Sequence, residues 1–525
     1  MNQSKPLLLT LLTGEDAAEP TSGANERRRQ QQQLGRGDTI STQERRQQQQ
    51  LGGDEMVEAT QQQLGRGDTA ATRERQQLGR GDTAATRERR HSSNSGEAAT
   101  HGRRRDRLEG GRKANCIKLV ITCILTIISI SQSQPITSEI DVTAFGAIGD
   151  GITDDKLALQ DAWNVACSST GNLMLPSGNF LVGPTTFRGP CKPKTMVVNV
   201  IGTVKAIPRK DWNNEADTWL NFEHVENLII TGPGQFEGQG DSGWWDCEKT
   251  NNCETNPTAL GFHHCNGVKL IKVTSKNSPK NHISINACDG AIVDNVTLIA
   301  PKESPNTDGI DISATNGVHV NGGTIQTGDD CIAINGGSSN IHIDGLFCGP
   351  GHGVSVGSLG RNGKTDIVRN VTVINTTFTA TQNGARVKTV PGGSGLADDI
   401  TFSNITMVAV ENPIILTQFY CPHKQCNDIP PVVHVSDVTF KDIHGTSSKP
   451  DAINILCSKS PESCTGITLE QINIGAANPA QRVVSNCHNT RVQTIGVVSP
   501  PIVCTPASFI SIDTVTHEQP SKDII

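Results

Sequence analysis

A short pattern, an apolar residue followed by any residue and a second apolar residue, returns repeatedly along the chain after residue 260. Each copy directly follows Gly, Asn or Asp, residues that favour tight turns. The copies are Val268–Leu270, Val318–Val320, Ile341–Ile343, Val371–Val373, Ile400–Phe402, Val438–Phe440 and Ile467–Leu469. From Val318 onward, consecutive copies begin 23, 30, 29, 38 and 29 residues apart. Short strands repeated at periods of about 20–50 residues indicate a solenoid.

No helical periodicity separates these copies, so each repeat must consist mainly of strands and turns. We therefore expect an all-β fold, a single-stranded right-handed parallel β-helix in which every coil adds one strand to each of several sheets. The alternative is a two-sheet sandwich, but its strands would recur about every 8–12 residues with hairpin turns. One helix is expected before the repeats, capped by Asp154 or Asp155 and continuing to about Ala166. Its apolar members are Leu157, Leu159, Trp163 and Val165.

Composition divides the chain into three segments. Residues 1–115 are rich in Gln and Arg and repeat Leu-Gly-Arg-Gly-Asp-Thr, but they contain few apolar residues, so we expect disorder. The Arg-Gly-Asp triplets are interpreted as copies of one short duplication, without an adhesive function. Residues 116–133 resemble a signal peptide, and residues 134–525 form the expected β-helix domain, with its core at about 140–505.

The signal-like segment combines a short apolar stretch with preceding basic residues and following serines. This order is typical of a signal peptide, and the apolar stretch is too short for a stable membrane span. We expect cleavage near Ser133 and a true start close to residue 115; the alternative is a short signal anchor. The expected product is a secreted, extracellular protein.

Cysteines and glycosylation sequons agree with export. No Cys-x-x-Cys pair suited to zinc occurs, so disulfides formed in an oxidising compartment are expected, with their pairing left open. Cysteines close in sequence are Cys247 and Cys253, Cys331 and Cys348, Cys421 and Cys426, and Cys457 and Cys464. Sequons begin at Asn295, Asn370, Asn375 and Asn404.

The distribution of charge and of aromatic residues excludes two classes of protein. The net charge is −7, and the acidic excess lies after residue 115, so no nucleic-acid partner is expected. Aromatic residues make up only 3% of the chain while Gly reaches 52 residues, which argues against a helical bundle.

Three polar motifs interrupt the strand repeats at a regular interval. They are Asn306-Thr-Asp308-Gly309, Gly328-Asp-Asp330-Cys331 and Gly351-His352-Gly353. Asp308, Asp330 and His352 are separated by 22 residues each. Equivalent positions of successive coils stack about 4.8 Å apart, so these residues and Asp329 are expected in one surface patch. Neighbouring residues of a strand point to opposite faces, so Asp329 and Asp330 can point the same way only where the strand bends.

Clustered carboxylates repel one another, which raises the pKa of at least one. One carboxyl group can then act as an acid while the others stay ionised, as hydrolysis of a glycosidic bond requires. Two alternatives remain: these aspartates are ordinary turn residues, or they form a calcium site. Three motifs in step with one coil disfavour the first alternative.

Arg386 and Lys388 occupy alternate positions of one strand and therefore share a face. Such a pair usually just faces solvent. Beside a carboxylate cluster, however, it can hold a substrate carboxylate, Arg386 through a bidentate fork and Lys388 as a point charge. That arrangement suggests an anionic sugar such as galacturonate. Tyr420 is the only tyrosine in the chain and is weak evidence by itself.

The three motifs, together with Arg386-Val-Lys388, resemble the four motifs of the polygalacturonases, glycoside hydrolase family 28. The resemblance covers about residues 140–505. Segments similar to plant members, particularly the pollen-type exopolygalacturonases, are Ser304–Gly309, Cys348–Gly353 and Tyr420–Pro422. Val387 replaces the commoner Ile, and Thr417–Phe419 also departs from the family pattern, which points to an altered subsite preference.

This resemblance implies a parallel β-helix that hydrolyses α-1,4-galacturonan in the cell wall with inversion, without a metal or other cofactor. Asp329 would be the general acid, Asp308 and Asp330 would hold and activate the water, and His352 would help set the protonation of the acid. The substrate-binding residues would be Arg386, Lys388, Tyr420 and Asn306. We expect a monomer whose partner is pectin.

Exo action is the expectation and endo action the alternative, because the outcome depends on loops that close one end of the cleft. The segment Trp244–Cys253 is a candidate for such a wall or, equally, a surface loop. Two further alternatives are a calcium-dependent pectate lyase and a non-catalytic pectin-binding glycoprotein. Because the acidic domain would repel a polyanion at neutral pH, we expect an acidic optimum.

Overall fold

The computed structural model describes residues 139–212, 216–250, 253–421 and 427–505, without the side chains at 248–250 and 254. The repetitive segment 1–115 and the signal-like segment 116–133 lie outside the described residues. Within the described part, no helix has the length and apolar character needed to cross a membrane.

The described residues form 33 strands, one α-helix and six 3-10 helices. The first eleven strands are β1 (Ile140–Asp141), β2 (Asp150–Asp154), β3 (Asn172–Leu175), β4 (Asn179–Val182), β5 (Thr185–Arg188), β6 (Met196–Val200), β7 (Thr203–Ala206), β8 (Thr218–Glu223), β9 (Leu228–Thr231), β10 (Gln235–Glu237) and β11 (Thr258–His263). The next eleven are β12 (Lys269–Ile271), β13 (Thr274–Lys276), β14 (Ile283–Asn286), β15 (Asp289–Asp294), β16 (Thr297–Ile299), β17 (Ile310–Ser313), β18 (Asn316–Asn321), β19 (Thr324–Gln326), β20 (Ile332–Ile334), β21 (Ser339–Asp344) and β22 (Phe347–Cys348).

The last eleven strands are β23 (Val354–Leu359), β24 (Thr365–Ile374), β25 (Thr377–Thr379), β26 (Asn383–Thr389), β27 (Ser394–Val410), β28 (Asn412–Thr417), β29 (His434–Ser447), β30 (Asp451–Leu456), β31 (Cys464–Ala476), β32 (Val484–His488) and β33 (Val492–Ser499). The α-helix, α1, is Lys156–Ser168. The 3-10 helices are Val142–Phe145, Arg209–Asp211, Gly240–Ser242, Trp245–Thr250, Cys253–Thr255 and Arg361–Gly363.

The strands pair in parallel, and each coil of the chain pairs with the next. One sheet has 11 strands in the order β5-β8-β11-β14-β17-β20-β23-β26-β28-β30-β32, here called the front sheet. The other 22 strands form the remaining faces of the coils. The fold is a right-handed parallel β-helix, as expected from the repeats.

The register confirms the repeated pattern as one continuous stack. Val318 pairs with Ile341, which pairs with Val371. The stack continues from Val371 through Ile400 and Val438 to Ile467. These side chains are all buried. The pattern therefore marks one inward-facing position of each coil.

Aromatic side chains stack inside the coils in the same way. Phe222 pairs in register with Phe187 on one side and Phe262 on the other, with ring centroids 4.9 and 5.3 Å apart. The Trp163 ring of α1 lies 5.8 Å from Phe222, so the helix packs on this stack. Leu159 is buried as well, whereas Leu157 and Val165 are exposed. The polar-capped helix is thus confirmed, but two of its expected apolar members face solvent.

Disulfides connect cysteines that are near one another in sequence. The described pairs are Cys167–Cys191, Cys247–Cys253, Cys331–Cys348, Cys457–Cys464 and Cys487–Cys504. Cys421 is also disulfide-bonded, and residue 426 lies outside the described residues. Cys265 and Cys288 are free and buried. Burial raises the pKa of the Cys288 thiol to about 12, so it stays protonated and unreactive.

Truncating the central ring of the aromatic stack should destabilise the domain. Phe222→Ala leaves a cavity between two stacked rings and is expected to cost about 3–5 kcal/mol of unfolding free energy. Urea unfolding followed by tryptophan fluorescence measures this cost. Phe347→Ala serves as the matched control because Phe347 is 61% exposed, and its effect should stay within about 0.5 kcal/mol. Equal losses in the two variants would contradict this account of the core.

Candidate active site

The three polar motifs lie at one edge of the front sheet, just before β17, β20 and β23. The register pairs Ile310 with Ile332 and Ile332 with Val354. Two residues before these, Asp308, Asp330 and His352 occupy equivalent positions of successive coils. The spacing of 22 residues therefore predicts their alignment correctly.

A tight turn before β20 directs the two neighbouring aspartates to different partners. The hydroxyl of Thr307 accepts a hydrogen bond from the Gly328 backbone N–H at 2.8 Å, which joins this turn to the previous coil. A Cβ at Gly328 would overlap the carbonyl oxygen of Ser304, so only glycine fits there. Asp329 Oδ1 accepts from the Asp330 backbone N–H at 2.8 Å, so its side chain folds back over the turn.

Asp329 pairs with the histidine of the next coil. Its Oδ1 lies 2.8 Å from His352 Nδ1, and the His352 backbone N–H donates to the Asp329 carbonyl at 2.7 Å. Both side chains are partly exposed. An acid that reaches solvent beside a titratable imidazole can exchange protons with a bound ligand.

Asp330 is buried beside the two cations of β26. Lys388 Nζ donates to Asp330 Oδ2 at 2.7 Å, and Arg386 Nη2 donates to Asp330 Oδ1. Asp330 is 1% exposed and both cations are 6% exposed. The expectation that Arg386 and Lys388 share a face is confirmed, and the alternative of a solvated pair is wrong.

Tyr420 completes this cluster from the loop after β28. Its backbone N–H donates to the Thr389 carbonyl at 3.0 Å, and its ring centroid lies 4.9 Å from Lys388 Nζ and 6.0 Å from the Arg386 guanidinium carbon. The ring face thus adds a cation–π contact to the buried charges. Asn306 adopts a positive φ of 52° in the turn before Asp308. Among the described residues, no hydrogen bond links its side chain to the other predicted site residues.

The carboxylates of this edge differ strongly in proton affinity. Burial raises the pKa of Asp308 well above its usual value, and the carboxylates of Asp329, Asp311 and Asp330 raise it further. Burial also raises the pKa of Asp330, but the cations Arg386 and Lys388 outweigh this effect and hold it below its usual value. The site therefore contains one carboxyl group that keeps its proton and one that stays ionised, as carboxylate clustering predicts.

Sequence reasoning missed a fourth carboxyl group, Asp311. It lies on β17, and its Oδ2 accepts a hydrogen bond from Asn281 Nδ2. Burial and the negative charge of Asp330 raise its pKa to about 7. Asp311 pairs in register with Ala333, which pairs with Ser355, another contact of Asp330. The same 22-residue interval that aligned the motifs would have found both residues.

Asp329, Asp330 and His352 offer donor atoms within 4.8 Å of one another, which suits a cation in spacing alone. Their environment does not fit one. Both Asp330 oxygens already accept hydrogen bonds from Lys388 or Arg386, and these two positive charges would repel a metal ion. The calcium alternative therefore finds no support in this donor set.

A parallel β-helix with carboxyl groups and buried cations at one edge of the front sheet defines a class of glycoside hydrolase. Comparison with known proteins agrees: the model for glycosyl hydrolases family 28 matches residues 167–495. The chain belongs to this family, and it is a glycoside hydrolase.

Relatives with known names support the same placement. A probable polygalacturonase of Arabidopsis thaliana is 42% identical over 377 residues, which are 70% of this chain and 81% of that protein. An exopolygalacturonase of Zea mays is 38% identical over 362 residues, 67% of this chain and 87% of that protein. The crystal structure of an exopolygalacturonase from Thermotoga maritima has a TM-score of 0.57 at 20% identity, covering 68% of this chain and 92% of that one, and supports the fold.

The raised pKa of Asp311 makes stability depend on pH. Between about pH 4 and pH 7 the folded state keeps a proton that the unfolded state releases, so folded stability falls as pH rises through this window. Asp311→Asn removes the titration and retains an oxygen acceptor for Asn281. Relative to the unmodified protein, this variant should therefore gain on the order of 1–2 kcal/mol between pH 4 and pH 7.5.

Thermal unfolding of both proteins across this pH range measures the difference. The control is Asp437→Asn, which changes an exposed aspartate whose positive φ suits asparagine. A pH-independent offset between Asp311→Asn and the unmodified protein would contradict the assigned protonation.

Proposed function

We propose that this protein hydrolyses α-1,4-galacturonosyl linkages of polygalacturonate and pectin with inversion. The observation that carries the substrate is the charge of the buried cluster. The ion pairs among the described residues join Arg386 and Lys388 to a single carboxylate, that of Asp330. One positive charge is left for an anionic ligand, and the carboxylate of a galacturonate unit supplies the matching negative charge.

Asp329 is the proposed general acid. It is partly exposed at the cleft edge, where it can reach a glycosidic oxygen, and His352 beside it helps to set its protonation. Asp308 and Asp330 hold and activate the attacking water on the opposite sugar face. The environment that raises the pKa of Asp308 also makes its ionised form a stronger base.

Substrate binding is assigned to the cationic cluster. Arg386 and Lys388 bind the carboxylate of the sugar at the cleavage point, and the Tyr420 ring covers the same space. Asn306 supports the sugar from the turn that carries Asp308. No metal or other cofactor is assigned a role in this mechanism.

The pH profile follows from these roles. Asp308 must lose its proton before it can activate water, so activity rises as pH increases through its elevated pKa. Asp329 must keep its proton, so activity falls again at higher pH. Because the carboxyl groups interact, the two limbs belong to the cluster as a whole. The optimum should lie on the acidic side of neutrality.

Replacing the acid should abolish turnover and leave the fold intact. Asp329→Asn is expected to lower reducing-sugar release from polygalacturonate by about 10²–10⁴-fold, because general acid catalysis contributes that much. Asp399→Asn is the control, since Asp399 is exposed and has a positive φ that asparagine tolerates. Unchanged activity of Asp329→Asn would refute the assignment. Proton NMR of the first products should show the β-anomer, and the α-anomer would refute inversion.

Exo action is the finer proposal, and a loop at the site edge supports it. Residues 238–257, here called the tryptophan loop, connect β10 to β11 at the edge where the loops before β14, β17 and β20 also lie. It is the longest of these connections and lies two coils before the loop of Asp308. A wall at this point would close one end of a cleft along the front sheet.

The tryptophan loop is firmly held, as a wall requires. Trp245 Nε1 donates to the Ser278 carbonyl of the next coil at 3.1 Å, and Asn256 Nδ2 donates to the Pro279 carbonyl at 3.2 Å. The Cys247–Cys253 disulfide closes the loop on itself. On its other side, the Arg209 guanidinium lies 5.4 Å from the Trp244 ring centroid.

A time course on polygalacturonate tests the mode of attack. Solution viscosity and reducing ends are followed together, and the products are separated by size. Exo action predicts monogalacturonate alone with nearly constant viscosity. A rapid fall in viscosity with mixed oligomers would refute exo action and retain the hydrolase. Pectin binding with no products at all, or an ultraviolet-absorbing unsaturated product, would instead support the binding-protein or lyase alternative.

The proposed location is the extracellular space and the plant cell wall, as a monomeric glycoprotein. The disulfides fit an oxidising compartment. All four sequon asparagines, Asn295, Asn370, Asn375 and Asn404, are exposed and so accessible to glycans. Intact-mass analysis of the secreted protein tests both features.

A further inference from the structure

Ser355 lies at the centre of the buried charge cluster. It is on β23, and its register partners are Ala333 on one side and Arg386 on the other. Its side chain faces the outer side of the front sheet yet is fully buried. The surrounding site residues therefore cover it completely.

Its hydroxyl joins two charged residues at once. Ser355 Oγ accepts a hydrogen bond from Arg386 Nε at 2.7 Å and donates one to Asp330 Oδ1 at 3.0 Å. Arg386 Nη2 donates to the same Asp330 oxygen. The three side chains thus form a closed hydrogen-bonded ring that fixes the plane of the guanidinium.

We propose that Ser355 is a positioning residue that orients Arg386 for the carboxylate of the substrate, an inference that rests on the proposed function. Arginine and carboxylate groups pair most favourably in a bidentate arrangement. Ser355 occupies Nε and so prevents Arg386 from using its Nε–Nη2 edge entirely on Asp330. The remaining nitrogen stays directed towards the ligand.

Removal of the hydroxyl changes both neighbours. In Ser355→Ala, Arg386 Nε loses its buried acceptor, and the guanidinium can rotate into a bidentate pair with Asp330. The positive charge would then be neutralised within the protein. A carboxylate ligand would lose affinity, whereas its methyl ester, which carries no charge, would lose little.

Binding measured without turnover tests this directly. In the Asp329→Asn background, isothermal titration calorimetry compares trigalacturonate with its fully methyl-esterified form. Ser355→Ala should weaken trigalacturonate binding about tenfold, the scale of one charge-assisted hydrogen bond, and change binding of the ester less than twofold. Restoration of trigalacturonate affinity by Ser355→Thr, which keeps the hydroxyl, would support the proposal further.

Ser338→Ala is the matched control for loss of a buried hydroxyl. Ser338 is equally buried, and its Oγ donates to the Ile312 carbonyl at 3.4 Å. Its replacement should affect melting temperature alone. Equal weakening of both ligands by Ser355→Ala, or no weakening of either, would overturn the positioning role. Failure of the Asp329→Asn protein itself to bind trigalacturonate would refute the proposed substrate and the positioning role together.

Discussion

Parallel hydrogen bonding between successive coils is the constraint on which the rest of the structure depends. It fixes the separation of equivalent residues at one strand spacing, about 4.8 Å, and it does so with no helix or hairpin between the strands of a stack. Inward positions therefore become columns of identical chemistry, such as the rings of Phe187, Phe222 and Phe262. Outward positions become rows of side chains that belong to different coils and face one another. The active site is such a row, in which Asp311, Ala333, Ser355 and Arg386 follow one another in register.

The row brings like charges close together, and the cations of β26 make this arrangement tolerable. Asp330 can stay ionised inside the protein because Arg386 and Lys388 both donate to it. Asp308, one coil away, lacks that compensation and holds its proton. Two chemically identical carboxyl groups thus acquire opposite properties from their distance to one pair of cations. This difference in environment is the physical basis of acid and base roles within one site.

The sequence allowed prediction of the fold and of seven site residues that the structure brings to one edge, because both depend on spacing along the chain. Asp308, Asp330 and His352 could be aligned by counting, since one coil there is 22 residues long. The divergence of Asp329 from Asp330 depends on a turn held by Thr307 and Gly328, and spacing alone does not show it. Leu157 was grouped with residues of the packed helix face, but only the position of the helix on the first coils decides which side is buried. Ser355 carries no charge and belongs to no motif, so its importance emerges only from the two hydrogen bonds it makes.

The tryptophan loop and the carboxyl cluster belong to different coils, and a coil of a solenoid contacts only its neighbours. Insertion or loss of residues between β10 and β11 can therefore lengthen or shorten the groove while the reacting groups keep their geometry. The bond that is broken and the place along the polymer where it is broken are encoded in separate stretches of the chain. Evolution can change where on the polymer such an enzyme cuts without changing its chemistry.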